Sequence, residues 1–182
     1  MPKKIVISGA PGAGKTTLAK ELAILLEYKH IDLDDFYHRK DAKIPFSERT
    51  PPEEVRERVM NEISIHPNFV MSGTIGNILG DLLNPMFDLA VLLLVPTDIR
   101  LERVRARESA WFGERILQGG DMYENHLEHI KKVEFFDTDE PPSVCLKRLE
   151  LWASALSCPV LRLDGTKPTT ENAAWLVEKI CS

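Results

Sequence analysis

The run Gly9-Ala10-Pro11-Gly12-Ala13-Gly14-Lys15-Thr16 constrains this chain more than any other stretch. Its spacing, G-x-x-x-x-G-K-T, is that of a loop whose backbone N–H groups wrap phosphates. Gly9, Gly12, Ala13 and Gly14 form the amide wall, because glycines allow close approach and unusual φ. Lys15 reaches the β- and γ-phosphates, the Thr16 hydroxyl ligates Mg²⁺, and Thr17 follows in a helix N-terminus whose free amides favour an anion. The run follows the apolar strand Lys4–Ser8 and opens an amphipathic helix with Leu18, Leu22, Leu25 and Leu26 as its expected buried stripe. That context makes a chance glycine-rich turn a poor explanation.

Further short apolar runs, His30–Leu33, Phe69–Ser72, Leu89–Val95 and Val160–Leu163, alternate with helical patterns. Such alternation predicts βαβ units and a mostly parallel sheet. Leu89–Val95 is apolar throughout, as a central strand covered on both faces should be. A helix should start at Thr50-Pro51-Pro52-Glu53, with Thr50 as cap and Glu53 closing a capping box. Another should follow Pro96-Thr97, and the last should run from about Thr170 to Ile180. Leu149, Trp152 and Leu156 share a helical face and read as core. Two stretches break the alternation: the polar segment 36–50, and residues 108–123 with Trp111, Phe112, Gly113, Gly119 and Gly120.

A chain of 182 residues fits one domain. Its 23 Lys and Arg against 28 Asp and Glu leave a net charge of −5, too acidic for a general nucleic-acid binder. Cys145, Cys158 and Cys181 form no C-x-x-C pair and read as free thiols of a reducing compartment. The longest apolar run is too short to cross a bilayer, and the N-terminus lacks a signal-peptide h-region. A soluble, cytoplasmic protein without a membrane or nucleic-acid partner is the expectation. No guanine-reading N-K-x-D occurs, no apolar strand ends in Asp-Glu, and the length leaves no room for a helical lid domain of AAA+ size.

An acidic run, His30-Ile31-Asp32-Leu33-Asp34-Asp35-Phe36-Tyr37, follows the first helix. Period-two spacing would point Asp32 and Asp34 to one side, toward the phosphate loop. An arginine-rich run, Arg100-Leu-Glu-Arg103-Val-Arg105-Ala-Arg107, precedes Arg115; on a helix Arg100, Arg103 and Arg107 share a face. With the glycine loop, these runs resemble the P-loop kinases of small molecules, the adenylate, shikimate and gluconate kinase group often placed under a broad "AAA domain" label. The resemblance spans nearly the whole chain. It implies a three-layer α/β/α P-loop NTPase fold, a five-stranded parallel sheet of order 2-3-1-4-5, an acceptor-binding excursion at 36–50 and a small lid at 108–123.

The same resemblance implies ATP and Mg²⁺ as cofactors and a small-molecule acceptor. Asp32 resembles the metal-serving acid of the shikimate-kinase D-x-D, and Asp34 the acid on the acceptor hydroxyl, with Asp35 as substitute; Asp34-Asp35-Phe36-Tyr37 is also similar to uridine-kinase-like D-D-F-Y. By likeness to the lid-entry helix, Arg103 would lie against the adenine or phosphates, while Arg107 and Arg115 would close on the γ-phosphate. Leu163-Asp164-Gly165-Thr166-Lys167-Pro168 stands where similar kinases hold the adenine edge, and an ordinary turn explains it almost as well. The expected catalytic set is therefore Lys15, Asp34, Arg107 and Arg115.

The acceptor is not named by sequence. Met71-Ser72-Gly73-Thr74-Ile75-Gly76-Asn77 replaces both the D-G-F-P-R of adenylate kinases and the G-G-G of shikimate kinases. Ser72, Thr74 and Asn77, or the basic group His38, Arg39, Lys40 and Arg49, are candidate acceptor contacts. Gly119–Tyr123 reads equally as a substrate contact or a hinge. His126 and His129 lack further ligands at useful spacing and read as surface histidines. An ATPase or nucleotide-dependent regulator stays open beside the kinase reading, as do an antibiotic-modifying role and any oligomeric state.

Overall fold

The computed structural model describes residues 1, 3–76, 78–138 and 145–181. Strands β1 (Lys4–Gly9), β2 (Lys29–Asp32), β3 (Phe69–Ser72), β4 (Leu89–Leu94) and β5 (Val160–Asp164) form one parallel sheet in the order β2-β3-β1-β4-β5. That is the expected order, with β1 in the centre. Helices α1 (Lys15–Leu26), α2 (Asp34–Tyr37), α3 (Pro52–Ile65), α4 (Gly80–Leu83), α5 (Thr97–Phe112), α6 (Tyr123–Glu134), α7 (Leu146–Ser154) and α8 (Thr169–Cys181) connect and flank the strands.

Helices on both faces explain why β1, β3 and β4 are apolar without alternation. On one face Ile5, Ile7, Val91 and Leu93 pack with Leu18 and Leu22 of α1 and Leu176 and Ile180 of α8. On the other, Val6, Met71 and Ala90 pack with Val55, Val59 and Ile63 of α3, while Leu92 meets Leu149 and Ala153 of α7. Leu149 is buried as expected; Trp152 and Leu156 are only partly so, and the Trp152 indole donates to Asn84 Oδ1 at 2.9 Å. No helix among the described residues is long and apolar enough to cross a membrane.

Local expectations fail in two places. The buried side of α1 is Leu18, Ala19, Leu22 and Ala23, whereas Leu25 is exposed. Small Ala19 and Ala23 face the sheet and Ala173 of α8, so the helix is turned toward its narrow side. At α3 the capping box does not form. Pro51, extended at ψ 141°, is the N-cap, which sets Thr50 one residue outside the helix. The Thr50 amide instead donates to Tyr37 O at 3.0 Å, and its hydroxyl is buried without a partner among the described residues.

The helix α5 corrects the arginine pattern. Its buried stripe is Arg100, Val104 and Glu108, spaced i, i+4, i+8. Arg100 is fully buried and belongs to the frame. Its Nε donates to Val95 O (3.0 Å), Nη1 to Val133 O (3.1 Å), and Nη2 to Thr97 Oγ1 (2.6 Å) and the Asp137 carboxylate. The guanidinium also lies over the Phe136 ring, 5.5 Å from its centre. One side chain thus splices the end of β4, the start of α5 and the end of α6. Removing it takes a donor from two carbonyls and leaves the partly exposed Asp137 with the Thr97 hydroxyl in place of a cation. Arg100→Ala should cost on the order of 3–5 kcal/mol in chemical denaturation; a loss under about 1 kcal/mol would contradict this splice.

Candidate nucleotide-binding and active site

The loop between β1 and α1 crosses the carboxyl end of the sheet, where ligands of open α/β sheets bind. Its backbone is pressed against neighbours on two sides. A Cβ at Gly9 would sit 2.5 Å from Leu93 O, and one at Gly12 would sit 2.8 Å from Arg100 O and 2.9 Å from Val104 Cγ2. Gly12 and Gly14 have φ of 80° and 95°, and left-handed Gly14 caps α1. The wall is therefore bare backbone ending at a helix N-terminus, the geometry an anion needs.

Lys15 is folded over this loop, with Nζ donating to Ala10 O at 2.9 Å. Burial lowers its pKa to about 8, against the pull of Asp34 and Asp32, and the charges of Arg107 and Arg100 lower it further. Thr16 hydrogen-bonds the Asp32 carboxylate, whose pKa is raised by burial and then by the neighbouring Asp34, more than its hydrogen bonds lower it. A hydroxyl and a carboxylate side by side are hard oxygen donors, which suits Mg²⁺ and the residues proposed for it.

The two acids meet by a route other than the expected one. The strand ends at Asp32 and α2 begins at Asp34, so period-two spacing does not apply. Instead the Asp34 amide donates to Asp32 Oδ1 at 3.2 Å, a local turn that keeps both carboxylates near Lys15. Asp35 turns away to Lys40 (3.1 Å).

Arg103 bridges two loops. Its Nη1 donates to Ala13 O (3.4 Å) and its Nη2 to Gly165 O (3.0 Å) in the turn after β5. That turn is closed by Asp164 Oδ1, which accepts from the Thr166 amide (2.9 Å) and hydroxyl (2.6 Å). Arg107, one turn along α5, acts on Lys15 and stacks 5.0 Å above the Trp111 ring. Arg115 is held elsewhere: α5 continues to Phe112, the excursion starts only at Gly113, and Arg115 makes a two-bond fork to Asp121 at 2.9 Å each. Asp121 is thereby engaged within 113–122.

Between β2 and β3, His30 Nε2 pairs with the buried Ser72 Oγ at 3.0 Å, and beyond their ends the Tyr37 hydroxyl donates to Thr74 O at 3.4 Å. Arg39 and Lys40 are paired with Glu54 and Asp35, both at 3.1 Å. His38 and Arg49 face one another in an isolated bridge that closes the 36–50 excursion. Asn77 lies outside the described residues. Sequence reasoning missed the Gly165 carbonyl, the His30–Ser72 pair and the burial of Arg100. It also misread His126 and His129, which bind the buried Glu108 rather than standing free on the surface. The 100–104–108 spacing was the available signal for that stripe.

With the Lys15 ammonium as the phosphate partner, affinity should be full below pH 8 and fall as pH rises through it. A nucleoside triphosphate should bind about tenfold more weakly at pH 9 than at pH 7 in calorimetric titration, and Lys15→Gln should bind weakly at both. An undiminished wild-type affinity at pH 9 would contradict the assignment.

The comparisons with known proteins agree with this geometry. A match to the AAA domain family spans residues 5–115. The uncharacterized protein YqaC of Bacillus subtilis (strain 168) is 31% identical over 182 residues, covering 100% of this chain and 99% of its own length. The adenylate kinase of Mycoplasma mobile is 26% identical over 180 residues, covering 84% of this chain and 82% of its own. Among solved structures, shikimate kinase from Bacteroides thetaiotaomicron aligns with a TM-score of 0.58 at 20% identity, over 100% of this chain and 99% of that one, a likeness of fold. The glycine loop with its half-buried lysine, the sheet order and these matches together establish that the chain belongs to the AAA domain family, within the P-loop small-molecule kinase group.

Proposed function

We propose that this protein is an Mg²⁺- and ATP-dependent kinase that phosphorylates a small hydroxylated acceptor. The observation that carries the reading is the turn beside the phosphate loop that sets two acids together, with the Asp34 amide donating to Asp32 Oδ1 at 3.2 Å and Thr16 bonded to the Asp32 carboxylate. A phosphate loop alone serves hydrolysis as well as transfer. An acid pair beside the lysine adds a group that can orient an acceptor hydroxyl. The similarity to adenylate kinase over most of the chain supports the same reaction class.

In this reading the amides of Gly9, Gly12, Ala13, Gly14 and Thr17 and the Lys15 ammonium hold the phosphates. Thr16 and Asp32 would hold Mg²⁺, which when bound neutralises charge on the β- and γ-phosphate oxygens. Arg103, already bridging the phosphate loop to the turn after β5, lies against the nucleotide. Asp34 aligns the acceptor and takes its proton as the acceptor oxygen bonds to the γ-phosphorus. The bond from that phosphorus to the β,γ-bridging oxygen breaks, and ADP leaves. Arg107 stabilises the charge on the transferring oxygens. Arg115 joins it once the 113–122 excursion folds over and the Asp121 fork opens, which also excludes competing water.

The test is ADP formation from Mg-ATP across a library of hydroxylated metabolites and nucleosides, with Lys15→Ala as blank. One acceptor class should raise turnover well above the water rate. Asp34→Asn should lose about 10²-fold or more of that stimulated rate while still binding ADP. Full turnover by Asp34→Asn would remove Asp34 from its role. Lys15-dependent hydrolysis that no compound stimulates would favour the ATPase or regulator reading.

A further inference from the structure

The helices α5 and α6 enclose a cluster of charge that none of the proposed steps uses. Glu108 is only 7% exposed. His126 Nδ1 donates to its Oε2 at 2.5 Å, and His129 Nδ1 donates to its Oε1. Arg107 Nη2 lies 3.8 Å from Oε1. These are the charged and titratable groups in contact with the carboxylate among the described residues: Arg107 from its own helix, His126 and His129 from α6. The two hydrogen bonds from the imidazoles outweigh burial and keep the Glu108 carboxyl below the usual glutamate range. An ionised carboxylate only accepts, so each Nδ1 carries the proton.

The seam beside this cluster is already apolar. Val104 of α5 packs with Ile130 and Val133 of α6. A further aliphatic residue at position 108 would hold two helices together at least as well as a buried charged trio, because desolvation offsets much of a buried ion pair. What the trio adds is directional: a fixed register between the helices at the two roots of the 113–122 excursion.

That register reaches the phosphate loop. Gly12 has no room for a Cβ because Arg100 O and Val104 Cγ2 stand within 2.9 Å of its position, so the loop rests directly on α5. One turn beyond Val104 comes Glu108. Arg107, beside Glu108, is the guanidinium whose charge acts on Lys15. A small rotation of the last turns of α5 would therefore move Arg107 relative to the loop.

We propose that Glu108, clasped by His126 and His129, is a positioning residue for phosphoryl transfer, locking α5 to α6 beneath the excursion so that the loop and Arg107 stay in register. This rests on the kinase reading. The α5 segment under the loop is fixed separately by the bonds of Arg100, so loss of the clasp should displace Arg107 more than the loop and act on the chemical step more than on nucleotide binding.

The nearly isosteric Glu108→Gln tests it. The amide has one accepting oxygen, so it can serve both rings only while one imidazole presents an unprotonated Nδ1. In the wild-type clasp both Nδ1 atoms carry protons, so one ring loses its acceptor and the clasp loosens in the variant. In Lys15-dependent conversion of Mg-ATP to ADP, the expected result is a loss of at least fivefold in kcat relative to wild type, with KM for ATP and the calorimetric Kd within twofold. Equal kcat, or a loss carried by KM instead, would overturn the proposal. Absence of Lys15-dependent turnover in wild type with every acceptor of the library would instead count against the kinase reading. The proposal is then judged on the fluorescence response to Mg-ATP of a chain with Trp111 as sole tryptophan. Loss of that response in Glu108→Gln supports the clasp, and an unchanged response overturns it.

Discussion

A half-buried ammonium folded against its own loop is the constraint around which this molecule is arranged. Lys15 gives up part of its water for one carbonyl, Ala10 O, and for the distant pull of Asp34 and Asp32. Desolvating a cation with so few partners is unfavourable, which is why its pKa falls to about 8. Phosphate oxygens would relieve it. The cost of holding the site open is borne by the rest of the fold: a five-stranded sheet buried on both faces, and a loop wedged where no Cβ fits.

The helix α5 carries more of the candidate site than any other element. One side of it is buried structure, from Arg100 through Val104 to Glu108. The adjoining side presents Arg103 to the phosphate loop and the turn after β5, then Arg107 to Lys15. A helix so charged would be poor at packing were its buried charges not fully matched. Arg100 uses carbonyls, a hydroxyl and Asp137, and Glu108 uses two imidazoles. The frame and the candidate site are thus two faces of the same sixteen-residue helix.

The fold was legible because its signals are local and strong. Apolar runs bounded by turns mark the strands to within about a residue, and the G-x-x-x-x-G-K-T spacing places α1. Errors arose wherever tertiary contacts outvoted local pattern. Leu25 looked like core until Ala19 and Ala23 proved the closer-packing side. Thr50 looked like a cap until Pro51 displaced it. The arginines and histidines were hardest, because charge usually signals surface. Only the partners that neutralise Arg100 and Glu108 explain their burial, and those partners lie 33 to 37 and 18 to 21 residues further on. In the acid pair the expected neighbours met by an unexpected route, a side-chain-capped turn instead of an extended strand.

The measurement that bears most directly on the account is the backbone amide spectrum of the protein titrated with Mg-ATP. The largest shifts should fall on the amides of Gly12, Gly14, Lys15 and Thr16, with smaller ones at Gly165 where Arg103 bridges the loops. Largest shifts elsewhere, with the amides from Gly9 to Thr17 unmoved, would contradict the phosphate cradle on which everything else here depends.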